Sequence, residues 1–371
     1  DGKVIEEGEV RLIQSILPHQ DGKWMLPLAI PEKGRVYLKV TYHLKKETNL
    51  LEKDHTLGFD EILLKNQDGR NQKFLGLLQN KAGKSEKLPV FETDRYLTIC
   101  TGQFEYIFNK LTGVFEELNY DGSEILTKPM EFNIWRAPTD NDRKLKLEWM
   151  EAHYHQSYAR AYQTSYEKKE GVVIIHSHVG IVADTVQRIL DIQAKWSIYD
   201  NGEIHVELEV EKDMEFPELP RFGLRLFLKE QFSKVIYYGI GPEESYQDKC
   251  QAGSHGIYTA AVSQMHEDYI RPQENGSHTD CDYVILESEK EAVSIASADP
   301  FSFNASCYTQ EELMKKKHNF ELVPDGSTVL CLDYAQNGIG SNSCGPVLQE
   351  KYKFNEEKFT FKCAMGFQKK L

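Results

Sequence analysis

Residues Asp191–Val210 read DIQAKWSIYDNGEIHVELEV. Ile192, Ala194, Trp196 and Ile198 alternate with polar neighbours, Asp200, Asn201 and Gly202 follow as turn residues, and Ile204, Val206, Leu208 and Val210 then alternate again. A period of two places the apolar side chains on one face of each strand. Asn-Gly between two such runs is a strong hairpin signal. The stretch therefore reads as an antiparallel β-hairpin with one buried face and Trp196 in its core.

The same pattern recurs on both sides of it. Phe104, Tyr106 and Phe108 run into NKLTG (Asn109–Gly113) and out through Val114 and Phe115, a second hairpin. Nearer the start, Val36, Leu38, Val40 and Tyr42 lie opposite Tyr37, Lys39, Thr41 and His43, as in a half-buried strand. Helical periodicity is confined to short segments near Leu145–Ala152 and Gln310–Lys317. The class is all-β and antiparallel. The polar run QNKAGKSEKLPV (Gln79–Val90) has no periodicity and reads as a linker. It divides the chain into domains of residues 1–88 and 89–371. The first suits a small immunoglobulin-like sandwich, whole or lacking its first strands; the second is too long for a seven-stranded sandwich and suits a large two-sheet one.

Charge narrows the partners. With 44 Lys and Arg against 58 Asp and Glu, the formal net charge is −14. Such a surface repels nucleic acid and anionic membranes, so a neutral polar ligand is the better expectation. There is no apolar run of transmembrane length, and the start DGKVIEEGEV has neither the basic nor the apolar region of a signal peptide. Seven cysteines without a CxxC pair cannot all pair within one chain, so reduced thiols and a cytoplasmic location are expected.

Several motifs mimic chemistry without completing it. Gly239 and Gly241, and Gly338 and Gly340, start a dinucleotide fingerprint that neither finishes. His153 and His155 lack further metal ligands and read as solvent-exposed histidines. Glu243 and Glu244 are adjacent and point to opposite faces of a strand. Asp140 and Asp142, next to Pro138, read as part of a turn with Arg136 and Arg143 as ion partners rather than as a carboxylate pair or metal site. No metal site is expected in this chain.

Function enters through resemblance. FNIWRAPTDNDR (Phe132–Arg143) resembles the opening of the last domain of glycoside hydrolase family 2 β-galactosidases. YYGIGPEESYQDK (Tyr237–Lys249), YIRPQENGSHTD (Tyr269–Asp280), EELM (Glu311–Met314) and NGIGSNSCGP (Asn337–Pro346) resemble further blocks of that domain, in the same order. The opening GKVIEEGEV and the strands after it resemble the end of the preceding immunoglobulin-like domain. Several long blocks in fixed order are far more specific than one motif.

The resemblance implies a large galactose-mutarotase-like supersandwich for residues 89–371, belonging to a multidomain enzyme that hydrolyses terminal β-galactosides with retention. It implies that two catalytic Glu, Mg²⁺ and often Na⁺ sit in a (β/α)₈ barrel upstream, so the chain alone is expected to be inactive and to have no cofactor of its own. A barrel needs about 250 residues of alternating strand and helix patterns, and this sequence has no such run. The expected partners are the barrel and N-terminal domains, on the same chain or as a large subunit, together with the galactoside, in a homo-oligomeric enzyme. In some members this region is a separately encoded small subunit; the domain-spanning start favours a piece of one long chain.

The resemblance also suggests site residues. NGIGSNSCGP aligns with a loop that in well-known members places a Trp against the sugar; here the aligned position is Cys344, between Ser343 and Gly345. A thiol has neither the area nor the π-face of an indole. Asn342, Ser343 and Cys344 are expected to edge the subsite beyond the cleaved bond, the alternative being a Gly-rich turn between strands. Glu274, Asn275 and His278 lie in a polar loop suited either to hydrogen-bonding a hydroxyl-rich ligand or to shaping the contact with the barrel. Two rival readings remain: a free-standing mutarotase-like enzyme, which needs a His and a carboxylate, and a carbohydrate-binding module, which needs an exposed aromatic platform.

Overall fold

The computed structural model describes residues 2–10, 15–32, 34–67, 88–340 and 345–370. The chain divides into two compact units, Asp1–Arg70 and Asn71–Leu371. Most of the linker expected at Gln79–Val90 lies outside the described residues.

The smaller unit is built on one antiparallel hairpin, β1 (Gly34–His43) and β2 (Thr56–Gln67), with Val36 opposite Lys65 and Val40 opposite Asp60. Val36, Leu38 and Val40 are half-buried, as their alternation predicts. Among the described residues this pair is the unit's sheet, so of the expected sandwich two strands are seen.

The larger unit opens with a five-stranded meander: β3 (Val90–Glu92), β4 (Tyr96–Cys100), β5 (Phe104–Asn109), β6 (Val114–Tyr120) and β7 (Ser123–Glu124). The chain then enters a twelve-stranded antiparallel sheet through β8 (Leu126–Asn133), followed by helix α1 (Leu145–Glu151), β9 (Tyr158–Lys169), β10 (Val172–Val182), β11 (Leu190–Tyr199) and β12 (Ile204–Lys212). Next come β13 (Arg221–Lys229), β14 (Lys234–Gly241), β15 (Ser254–Ala261), β16 (Ser277–Glu287) and β17 (Glu291–Ser306). Helix α2 (Gln310–Lys315), β18 (Ser327–Gln336) and β19 (Lys358–Lys369) complete the unit. Both helices fall where the periodicity places them.

The spatial order is β15-β14-β16-β17-β19-β12-β11-β10-β9, with β18, β13 and β8 branching from β17. The branch exists because β17 is long and divided. Its first half pairs with β19, from Glu291 opposite Lys369 to Ala296 opposite Ala364; its second half pairs with β18, from Ser302 opposite Asp333 to Ser306 opposite Val329. A strand that changes neighbours in this way turns a corner between layers. The result is the large antiparallel supersandwich expected for this region. Among the described residues, no helix is long and apolar enough to cross a membrane.

The hairpin from which the fold was read is β11 and β12, with Ile192 opposite Val210, Trp196 opposite Val206 and Ile198 opposite Ile204. The meander packs across its buried face. Phe108 and Phe115 stand edge-on to Trp196, with centroids at 6.1 and 5.3 Å. At the turn, Gly202 has φ of 85°, and the Tyr106 hydroxyl donates to its carbonyl at 2.8 Å. A side chain there would be strained and would meet that hydroxyl.

Trp196 is fully buried and its Nε1 has no hydrogen-bond partner. Trp196→Ala is expected to destabilise the larger unit by about 3–5 kcal/mol, from lost transfer energy plus the cavity left behind. Trp196→Phe keeps an aromatic ring and removes an unpartnered donor, so it should cost clearly less. Urea unfolding followed by circular dichroism checks this; equal losses would mean that Trp196 is not packed as described.

Candidate functional site

The candidate site lies at one end of the larger unit, where strand termini meet. β8, β14 and β18 finish there, at Asn133, Gly241 and Gln336, and β13 and β16 begin there, at Arg221 and Ser277. Loops leaving these ends carry most of the sequence blocks quoted above, and buried charge holds them together.

Arg221 is fully buried. Its guanidinium donates to both Asp333 oxygens, from Nε at 3.0 Å and Nη2 at 2.6 Å, and from Nη1 to Glu274 Oε2 at 3.0 Å. Gln336 Nε2 donates to Asp333 Oδ2 at 3.2 Å and to Ser277 Oγ at 2.8 Å. Burial pushes both the Glu274 and Asp333 carboxyls up, and Arg221 pulls them down. The pair of acids is held by a cation they share.

Arg136, also fully buried, grips Asp142 through Nε at 3.1 Å and Nη2 at 2.7 Å. Its Nη1 donates to the Asn337 carbonyl at 2.5 Å and its Nη2 to that of Gly338 at 3.1 Å. Asn141 Nδ2 adds a bond to the Ile339 carbonyl at 2.6 Å. From the other side, Asp248 accepts the backbone N–H groups of Ile339 at 3.0 Å and Gly340 at 2.7 Å. Thus the WRAPTDND block takes the carbonyls of Asn337–Ile339, and the GPEESYQDK block takes the amides that follow. The segment leading to the 341–344 loop is clamped on both edges. The turn expected around Pro138 is present, with Arg136 as the ion partner of Asp142.

Glu244 organises the next loop. It accepts from Lys249 Nζ, from the Tyr269 hydroxyl and, at 2.8 Å, from the Gly276 amide. Gly276 has φ of 70°, and a Cβ there would lie 2.2 Å from the Met265 carbonyl, so a side chain is excluded on both counts. Glu244, Asp248, Lys249, Glu267 and Tyr269, with Glu243 and residues 250–252, line an open cleft of about 410 Å³.

Of the residues singled out from sequence, Glu274, Asn275 and His278 come together at this end, all buried. Glu274 is bound to Arg221, and its amide donates to the Ala137 carbonyl at 2.9 Å. Asn275 accepts from the Glu267 amide at 3.0 Å and donates to the Gln273 carbonyl at 2.8 Å. His278 Nδ1 lies 3.0 Å from the Tyr237 hydroxyl and 3.2 Å from the Ile240 carbonyl. Its ring packs 4.5 Å from that of Tyr237 and 5.4 Å from that of Phe303. These side chains are engaged by their own unit. Asn342, Ser343 and Cys344 lie outside the described residues.

Arg221, Asp333, Asp248 and Glu244 are the organisers that sequence reading did not single out. A signal was present for two of them, because Arg221 and Asp333 each interrupt an otherwise apolar strand. His153 and His155 are half-buried rather than exposed, with rings stacked at 6.4 Å. Among the described residues, no group of three or more His, Cys, Asp or Glu could hold a metal ion. The Mg²⁺ and Na⁺ implied by the resemblance therefore have no ligand set among them.

A family model described as β-galactosidase small chain matches residues 101–365, and one described as β-galactosidase domain 4 matches residues 1–65. The chain belongs to the β-galactosidase small-chain family. It is 38% identical over 375 residues to the β-galactosidase of Actinobacillus pleuropneumoniae, covering 100% of this chain and 36% of that protein. It is 34% identical over 327 residues to that of Staphylococcus xylosus, covering 88% of this chain and 32% of that protein. The chain thus spans about a third of the length of these relatives. Among solved structures it is similar to the galactose 1-epimerase of Lactobacillus acidophilus NCFM, at 10% identity and a TM-score of 0.40, over 77% of this chain and 99% of that one. The small-chain match runs through every block of the clamp described above.

Burial pushes the His278 imidazole down to about 4, well below its ordinary value. Between that value and about 6.5 the unfolded chain binds the proton and the folded one does not, so this contribution is intact above about pH 6.5 and is lost as pH falls toward 4. His278→Gln should remove that part of the pH dependence, flattening unfolding free energy between pH 7 and 4.5 relative to wild type. An unchanged slope would show that His278 titrates normally.

Proposed function

We propose that this chain is the C-terminal portion of a β-galactosidase that hydrolyses terminal β-D-galactosides with retention. In that enzyme it shapes the edge of the substrate pocket and packs against the catalytic portion, and it contributes neither catalytic carboxylate. One observation carries the reading: the chain aligns over its whole length with β-galactosidases of which it makes up 36%, while its described strands pair antiparallel throughout. Retention requires two carboxyls about 5–5.5 Å apart, one a nucleophile and one an acid then a base. The resemblance assigns both to a barrel, an architecture of parallel strands. On this reading the remaining two thirds of the enzyme supplies the chemistry, Mg²⁺ included.

The part left to this chain is positioning. The clamped segment Asn337–Gly340 enters the loop of Asn342, Ser343 and Cys344, and a base fixed by two buried charge pairs can hold such a loop against a sugar without ordering it at each turnover. The rival readings fit less well. A mutarotase needs a His and a carboxylate open to substrate, whereas His278 and Glu274 are buried and engaged. A binding module needs an aromatic platform, whereas Trp135, Trp149 and Trp196 are buried.

The purified chain is expected to cleave no nitrophenyl β-galactoside above background, and mixing it with the separately produced upstream portion of its enzyme is expected to restore cleavage. Turnover by the chain alone that survives repurification and disappears on mutating one of its own carboxylates overturns the proposal. In the full-length enzyme, Cys344→Trp should lower KM for lactose by an amount on the order of 1 kcal/mol, through added aromatic contact with the sugar beyond the cleaved bond. Cys344→Ala should be nearly silent. Loss of activity in a folded Cys344→Ala enzyme would mean that the thiol has a role of its own.

A further inference from the structure

The loop-bearing end of the larger unit carries an apolar feature that the clamp does not use. Ile270 is 94% and Phe320 86% exposed, the two most exposed large apolar side chains of that unit among the described residues. They are neighbours, because Asn319 Nδ2 donates to the Tyr269 carbonyl at 2.6 Å. Scattered exposed apolar residues are ordinary; a rigid, paired set is not.

The pair is held rigidly from behind. The Glu321 carboxylate accepts the amides of Lys317 at 2.9 Å and His318 at 3.0 Å, fixing the turn that presents Phe320. Glu312 accepts the Val323 amide at 2.9 Å on the far side of that turn. The His318 ring lies nearly parallel to that of Phe320, 5.1 Å away. Tyr269, which precedes Ile270, is tied through its hydroxyl to Glu244. A ring already fixed in place costs little further ordering when a partner covers it, which is the character of an interface anchor. Arg271, Lys315, Lys317 and His318 are exposed around it, a cationic rim on a chain whose net charge is −14.

We propose that Ile270 and Phe320 are the apolar anchor on which the upstream, catalytic portion of the same enzyme docks, through an apolar hollow bordered by carboxylates. The inference rests on the proposed function. That occupant is chosen because the chain makes up 36% of its relatives, so about two thirds of such an enzyme must find a surface here. The position is also apt. Asn319 bonds to Tyr269, Tyr269 and Lys249 to Glu244, and Asp248, beside Lys249, to Ile339 and Gly340. A partner seated on the anchor therefore meets a surface connected by hydrogen bonds to the loop that the function requires.

Hydroxyl-radical footprinting read by mass spectrometry tests this on unmodified protein, comparing the isolated chain with the full-length enzyme. Oxidation of Phe320 and Ile270 is expected to be at least about tenfold slower in the full-length enzyme, because the core of an interface excludes water. Equal rates in the two overturn the proposal. So does protection already present in the isolated chain, which would assign the anchor to a second copy or to the smaller unit. Galactoside hydrolysis by the same full-length sample is measured separately: an inactive enzyme with a protected Phe320 counts against the proposed function alone, and an active enzyme with an unprotected Phe320 against the anchor alone.

Discussion

A guanidinium withdrawn from water costs several kcal/mol unless its N–H groups are engaged in good geometry, and the larger unit withdraws two. Arg221 meets this demand with two carboxylates from distant parts of the chain; Arg136 meets it with one carboxylate and two backbone carbonyls. The positions of the RPQENG loop, the WRAPTDND turn and the NGIG segment all follow. None of the three could shift by an ångström without leaving a buried charge short of a partner, and it is this demand for satisfaction, more than net stabilisation, that fixes the end of the sandwich.

The demand explains why blocks far apart in sequence form one unit in space. Gln273 and Asp140 meet through a side chain and an amide at 3.0 Å, and Asp248 reaches the backbone of Gly340. The most regular part of the molecule, the β10–β12 ladders, carries none of this. The sandwich supplies a rigid apolar floor, and the strand ends supply the polar lattice that gives the loops their shape.

The legible features were those that depend on local periodicity. The β11–β12 hairpin, the Phe104–Phe115 hairpin and both helices could be read directly, because each is decided by residues within one short window. The buried role of Trp196 followed from the same alternation. The lattice was not legible, because Arg221, Glu274 and Asp333 become partners only once β13, β16 and β18 are aligned, and no spacing in the sequence announces that alignment. Glu274 and His278 drew notice as polar residues in a polar loop, yet both turn inward. Composition shows that a loop is polar; it does not show which way its side chains face. The anchor at Ile270 and Phe320 was hidden for the opposite reason, since two apolar residues in separate loops form no pattern until the fold joins them.

The placement of β19 has a consequence for how the protein is made. This strand comes last in the chain, but it lies in the middle of the large sheet, between β17 and β12. Its pairing sets Ile204 opposite Met365 and Glu291 opposite Lys369. Until the ribosome has released it, β12 and β17 each present an open, apolar edge, and such edges invite pairing with other chains. Contacts of such long sequence separation also form slowly. Synthesis of the larger unit is thus a race in which nearly every strand waits for the final twelve residues of β19, and a premature stop a few codons early would leave a sheet split down its centre rather than frayed at its rim.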